Sequence, residues 1–223
     1  EAGKYSLKGA SFCQQCPAGR YSNQIGLSSS DDCILAQAGT YANASTEVLP
    51  CTIGKYQDEQ GQTSCKVCPA GTYTREEGET TCIAVAAGKY ANASGSAIAC
   101  PIGQYQDEVG QTSCKLCSAG NYNDQEGQIS CDTPCEAGKY SLTGASFCQN
   151  CPAGRISTIV GLTRADDCTL VSAGKYANTS TEAILCAIGK YQDEEGQTSC
   201  KLCSAGTYTT EEGETSCTPV AAG

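Results

Sequence analysis

The sequence predicts a small disulfide-rich fold of β-hairpins and irregular segments. These are strung into an elongated tandem-repeat rod, a solenoid-like stack of turns about 17 residues long, with no helix. Three observations predict it. The 223-residue chain holds 19 Cys and 25 Gly, but only 30 Leu, Ile, Val and Phe together. That is too few to bury an oily core, so covalent cross-links must take its place. One short motif recurs from end to end, and no window carries sustained helical periodicity.

The motif is [A/I]-G-x-Y. It starts thirteen turns, numbered here from their first residues: Ala2, Ala18, Ala38, Ile53, Ala70, Ala87, Ile102, Ala119, Ala137, Ala153, Ala173, Ile188 and Ala205. A fourteenth copy opens at Ala222–Gly223. All 12 Tyr residues stand in this motif, with Ile156 filling the place in turn 10. That distribution predicts a structural ladder of rings packing turn on turn, each ring contributing roughly 150–250 Å². In most turns a Gly follows the Tyr by five residues, as Gly61 follows Tyr56. Tyr56 to Cys65 thus predicts a strand, a polar tip with Gly at positive φ, and a returning strand.

Higher order is visible as well. Residues 1–88 and 136–223 align without a gap and differ at 25 of 88 positions. The predicted organisation is an eight-turn super-repeat over 1–135 and a partial second one over 136–223. Within the first, 1–37 is a two-turn cassette, and 38–86 and 87–135 are three-turn cassettes. The chain is expected to be a fragment of a longer array.

Cysteines mark the ends of the turns, but turns 3, 6 and 11 lack both of theirs. Pairing between turns would orphan partners wherever a turn loses its cysteines, whereas pairing within each turn orphans none. The expected cystines are Cys16–Cys33, Cys51–Cys65, Cys68–Cys82, Cys100–Cys114, Cys117–Cys131, Cys135–Cys148, Cys151–Cys168, Cys186–Cys200 and Cys203–Cys217. Cys13 is left over, and by analogy with Cys148 it is expected to pair with a Cys preceding Glu1. Each closed loop contributes about 3 kcal/mol in the chain-entropy model. A zinc site would need two C-x-x-C pairs close together or a His, and the pairs lie far apart in a chain with no His. A redox C-x-x-C would occur once, not five times in a periodic array.

Asn43, Asn92 and Asn178 stand in the chain's three N-x-[ST] acceptors, each two residues after the motif position of Tyr and each in a turn without cysteine. They are expected to carry N-linked glycans, the only non-protein groups expected; no cofactor or metal is. In an extended strand Tyr41 and Asn43 share a side, so the first sugar is expected near the ring. Dense cystines and sequons both point outside the cell.

A net charge of −10 and the absence of any basic run argue against nucleic acid. The longest apolar run, 83–87, is far too short to span a bilayer, so no membrane contact is expected from this segment. Without His, with the cysteines paired and with carboxylates confined to hairpin tips, no catalytic constellation assembles and no enzyme is expected. The tip acids, such as Asp58, Glu59, Asp193 and Glu194, lack the spacing of a calcium loop and are expected to be solvated.

The runs Cys16 to Tyr21 (C-P-A-G-R-Y) and Cys68 to Cys82 (C-P-A-G-T-Y-x₈-C) resemble the ephrin-receptor-like, or GCC2/GCC3-type, cysteine-rich repeat. They are similar also to the first half-module of tumour-necrosis-factor-receptor domains. The resemblance implies an extracellular stack of β-hairpin modules with cystines inside each module. Long arrays of this kind resemble protist and algal surface proteins, including flagellar hairs. The expected function is therefore a glycosylated extracellular rod, fibril or surface filament, flagellar-hair-like or sheath-like. Its partner would be itself, through adjacent repeats, as a homopolymer or a lateral bundle. The alternative is a stalk or ligand-binding ectodomain of a cell-surface receptor or adhesin.

Overall fold

The computed structural model describes residues 1–221, so the fourteenth motif copy, at Ala222–Gly223, lies outside the described residues. Every motif is a tight turn feeding a strand. In turn 2 the Arg20 N–H donates to the Pro17 carbonyl across 2.9 Å, with Gly19 at φ +78° and no non-glycine residue at positive φ. Positive φ at the third position alone is the signature of a type II turn, which explains why the motif needs Gly after Ala or Ile.

The chain forms two compact units. The first is Glu1–Cys100 with Gln106–Cys114, and the second is Pro101–Tyr105 with Lys115–Gly223. In the first unit, antiparallel hairpins pair Lys4–Tyr5 with Gln14–Gln15, Arg20–Tyr21 with Ile34–Leu35 and Thr40–Ala44 with Glu47–Pro50. Lys55–Tyr56 with Lys66–Val67, Thr72–Tyr73 with Ile83–Ala84, and Lys89–Ala91 with Ala97–Ala99 follow. The second unit repeats the scheme, from Gln104–Tyr105 with Lys115–Leu116 to Thr207–Tyr208 with Thr218–Pro219. All thirteen sheets among the described residues have two strands, and none joins another.

No α-helix occurs among the described residues, as the sequence predicts. Two single-turn 3-10 segments do, at Ser30–Asp32 and Ala165–Asp167. They sit in turns 2 and 10, whose cystines span 17 residues rather than the 13 or 14 of the others. The longer tip needs its own support. Asp32 Oδ2 accepts from the Ser28 and Ser29 N–H groups at 2.9 Å each, and Asp167 Oδ2 does the same for Thr163 and Arg164 at 3.0 and 3.1 Å.

The cysteine-free turns are closed differently. Turns 3, 6 and 11 pair four, three and three positions across the hairpin, where every cystine-closed turn pairs two. Ala36, Val85 and Val171 fill their opening Cys positions and are almost wholly buried. Register puts Val48, Ala97 and Ala183 in their closing positions, immediately before the partner of Tyr. Each of these turns therefore replaces a cystine by one Ala and one Val. Between the two super-repeats the pair changes together, Ala36 with Val48 becoming Val171 with Ala183, so the combined volume is kept. A longer backbone ladder and a filled cystine space do the work of the missing bond.

Candidate functional site

The structure repeats one joint from turn to turn, and it is built from backbone. In ten turns the motif glycine lies against the tip of the next turn but one, while a Cβ added to Gly189 or Gly206 would meet nothing within 4 Å. A Cβ added to Gly19 would fall 1.8 Å from the Gly61 oxygen, and one added to Gly39 would fall 2.1 Å from that of Gly78. Only glycine fits, because the approach is closer than any side chain allows and the φ angles, +78° and +83°, are left-handed. Three of these contacts are the tightest at 1.8 Å: Gly19 on Gly61, Gly71 on Gly110 and Gly154 on Gly196. Each straddles one of the turns that lacks a cystine.

Consecutive turns are joined by hydrogen bonds through the residue after the motif Tyr. This position is buried in turn after turn: Ser22, Ala42, Gln57, Thr74, Ala91, Gln106, Asn123, Ser141, Ser157, Gln192 and Thr209. The motif Gly39, Gly88, Gly103, Gly120 and Gly174 N–H groups donate to its carbonyl in the following turn, at 2.7–3.0 Å. Where it is Thr the hydroxyl accepts instead, Thr74 from Gly54 at 2.8 Å and Thr209 from Gly189 at 2.7 Å. Buried Gln57 also donates to the Ser64 carbonyl and accepts from the Glu59 N–H, holding its own tip; Gln106 and Gln192 repeat this. No buried side-chain polar atom among the described residues lacks a partner. The tyrosines themselves are half-buried or exposed, and Tyr140 packs on Cys151, Leu162 and Cys168 of the following turn. The ring ladder is thus the flank of the joint, and the residue after it is the centre.

Nine cystines close the turns: Cys16–Cys33, Cys51–Cys65, Cys68–Cys82, Cys100–Cys114, Cys117–Cys131, Cys135–Cys148, Cys151–Cys168, Cys186–Cys200 and Cys203–Cys217. Their Cα atoms are 5.5 to 5.9 Å apart. Cys13 is a free, exposed thiol in the closing position of turn 1. At the tips, Lys66 holds Asp58 at 2.7 Å and Lys201 holds Asp193 at 2.6 Å; the hydrogen bond lowers each carboxyl below its usual range and raises each ammonium. Among the described residues no three His, Cys, Asp or Glu side chains converge as metal ligands, and no helix is long and apolar enough to cross a membrane.

The sequon asparagines occupy three tips with two geometries. Asn43 and Asn178 are exposed, and their Nδ2 groups donate to Glu47 and Glu182 at 2.7 and 3.3 Å. Asn92 is half-buried, and its Oδ1 accepts from the Ser94 and Ser96 N–H groups at 3.1 and 2.9 Å.

Comparison with known proteins fits this geometry. The family described as tyrosine-protein kinase ephrin type A/B receptor-like matches residues 39–82, 88–132 and 174–219, more than half of the chain. Each match opens on the motif glycine of a cysteine-free turn, Gly39, Gly88 or Gly174. Signal peptide, CUB and EGF-like domain-containing protein 2 of Mus musculus is 28% identical, over 75% of this chain and 15% of its own length. Its Danio rerio namesake is 31% identical over 35% of this chain and 10% of its own. The chain thus spans 15% or less of the length of these relatives. The matched modules are receptor-like repeats, not enzymes. Disulfide-closed hairpins in tandem, with this motif in each, make this an extracellular cysteine-rich repeat protein, and the chain belongs to the ephrin type A/B receptor-like family.

Proposed function

We propose that the chain is a segment of an N-glycosylated structural protein of the extracellular space, forming a rod, fibril or surface filament whose partner is its own repeat. The observation that carries this reading is the joint: a motif glycine set against a neighbouring tip, and the same buried position, are used in turn after turn to hold neighbours. A surface spent on joining identical links extends indefinitely, whereas a binding site needs one surface unlike the rest. Asn43, Asn92 and Asn178 carry the glycans, and Cys13 bonds to a cysteine preceding Glu1. Electron microscopy of the secreted array tests it. Particles whose length grows in proportion to the number of turns support the reading; compact particles refute it.

The second reading, a stalk or ligand-binding ectodomain of a receptor or adhesin, is favoured by the receptor-like name of the family and by the multidomain names of the relatives. Imaging of the native assembly distinguishes the two, since a stalk appears singly beneath a terminal domain.

A further inference from the structure

Two grooves, one in each compact unit, share one construction. In the first unit a groove of about 550 Å³ is walled by Cys68, Pro69 and Ala70 at the opening of turn 5, Tyr90 and Asn92 of turn 6, and Thr112 of turn 7. In the second a smaller groove of about 170 Å³ is walled by Cys151, Pro152 and Ala153 opening turn 10, Asn178 of turn 11, and Thr198 of turn 12. The two belong to non-equivalent cassettes, since the 135-residue counterpart of Asn178 is Asn43 and not Asn92. Their construction therefore follows from what surrounds a sequon turn: a C-P-A loop before it and a Thr after it.

We propose that each groove seats the first N-acetylglucosamine of a glycan attached to its own wall asparagine, so that the sugar ties three successive turns where the middle one has no cystine. This rests on the N-glycosylation in the function proposed above. The attachment atom is already part of the wall, so the sugar enters as a tethered ligand, and weak contacts suffice at such effective concentration. At Asn92 the amide oxygen is pinned by the Ser94 and Ser96 N–H groups, which fixes the plane of the side chain and leaves Nδ2 for the sugar bond. Half-buried Tyr90 lines the groove and supplies a ring for the C–H face of a pyranose, and Thr112 lines the same groove. The Asn178 groove is narrower. Its amide nitrogen meets Glu182, and Arg155 in its wall is held by the Cys168 carbonyl at 2.7 Å. Seating is therefore tighter at Asn92 than at Asn178.

The test uses the full chain secreted from a glycosylating eukaryotic host, with site occupancy read by mass spectrometry. Three forms are compared: the intact glycoprotein, the same protein trimmed by an endoglycosidase to a single sugar, and Ser94→Ala, which abolishes the sequon while keeping the hydrogen bonds of Asn92 to backbone. The intact and trimmed forms should exchange amide hydrogens about three- to tenfold more slowly over 67–72 than Ser94→Ala, with turn 1 unchanged. A nuclear Overhauser contact should join the sugar to the Tyr90 ring. An occupied Asn92 with the exchange of Ser94→Ala overturns the seat and leaves glycosylation standing, as does protection that vanishes on trimming to one sugar. An unoccupied Asn92 overturns glycosylation at this site and the seat with it.

Discussion

Replacing Gly19 by Ala would bring a methyl group 1.8 Å from the Gly61 oxygen and force an L side chain to φ +78°. Replacing Gly9, at φ +83° but with nothing within 4 Å, would impose the backbone strain alone. Unfolding of the oxidised protein in denaturant should show roughly 1–2 kcal/mol lost for Gly9→Ala and about 2–5 for Gly19→Ala; equal losses would dissolve the glycine joint. The carboxyls of Asp32 and Asp167 make a second case. Asp32 is held below the ordinary range chiefly by the Ser28 and Ser29 N–H groups, and Asp167 chiefly by the Thr163 hydroxyl. A folded-state value below the unfolded one stabilises the tips above the ordinary Asp range, and that support is lost as pH falls through the lowered value. Titration followed by NMR should therefore show these two midpoints below those of ordinary carboxylates, with the tips of turns 2 and 10 losing order as they protonate. The glycines and Cys were legible in the sequence because each is one residue type in one place. The buried position after Tyr was not, because Ser, Thr, Gln, Asn and Ala share neither hydropathy nor size; what they share is only their place directly after the Tyr position.

At the scale of the hairpin, the cysteine-free turns show what a cystine replaces. Val85 with Ala97, or Val171 with Ala183, occupies the two positions that Cys fills elsewhere. Converting either pair to cysteines, as Val85→Cys with Ala97→Cys, should yield a disulfide on oxidation and add about 2–3 kcal/mol. Peptide mapping without reductant checks the bond and denaturant unfolding checks the gain. That these turns lack cysteine was plain from the sequence. That they compensate with longer ladders was signalled only by their apolar return strands, such as Glu47–Pro50 and Ala183–Leu185, and by the paired exchange of Ala and Val between the super-repeats. The hairpin was legible because strand, tip glycine and return strand are local; the grooves beside Asn92 and Asn178 were not, because each wall comes from three turns.

At the scale of the molecule, the core is made of cystine sulfur, small side chains and a few larger ones such as Gln57, Val85, Leu162 and Gln192, while Phe12, Ile25, Val67, Phe147 and Leu202 stay largely exposed. Burial of apolar surface is correspondingly small, so reduction of the nine cystines should unfold the chain at room temperature. A circular dichroism spectrum unchanged in excess reductant would contradict this. The contacts to the next turn but one carry a further consequence. Turns 3, 6 and 11 are never neighbours, and each lies beneath a direct glycine contact between the two cystine-locked turns on either side of it. This is the running bond of masonry, in which every course overlaps the vertical seams of the one below. A weak brick is spanned by sound ones, which sets an upper limit on how densely such an array can carry turns that have no cystine.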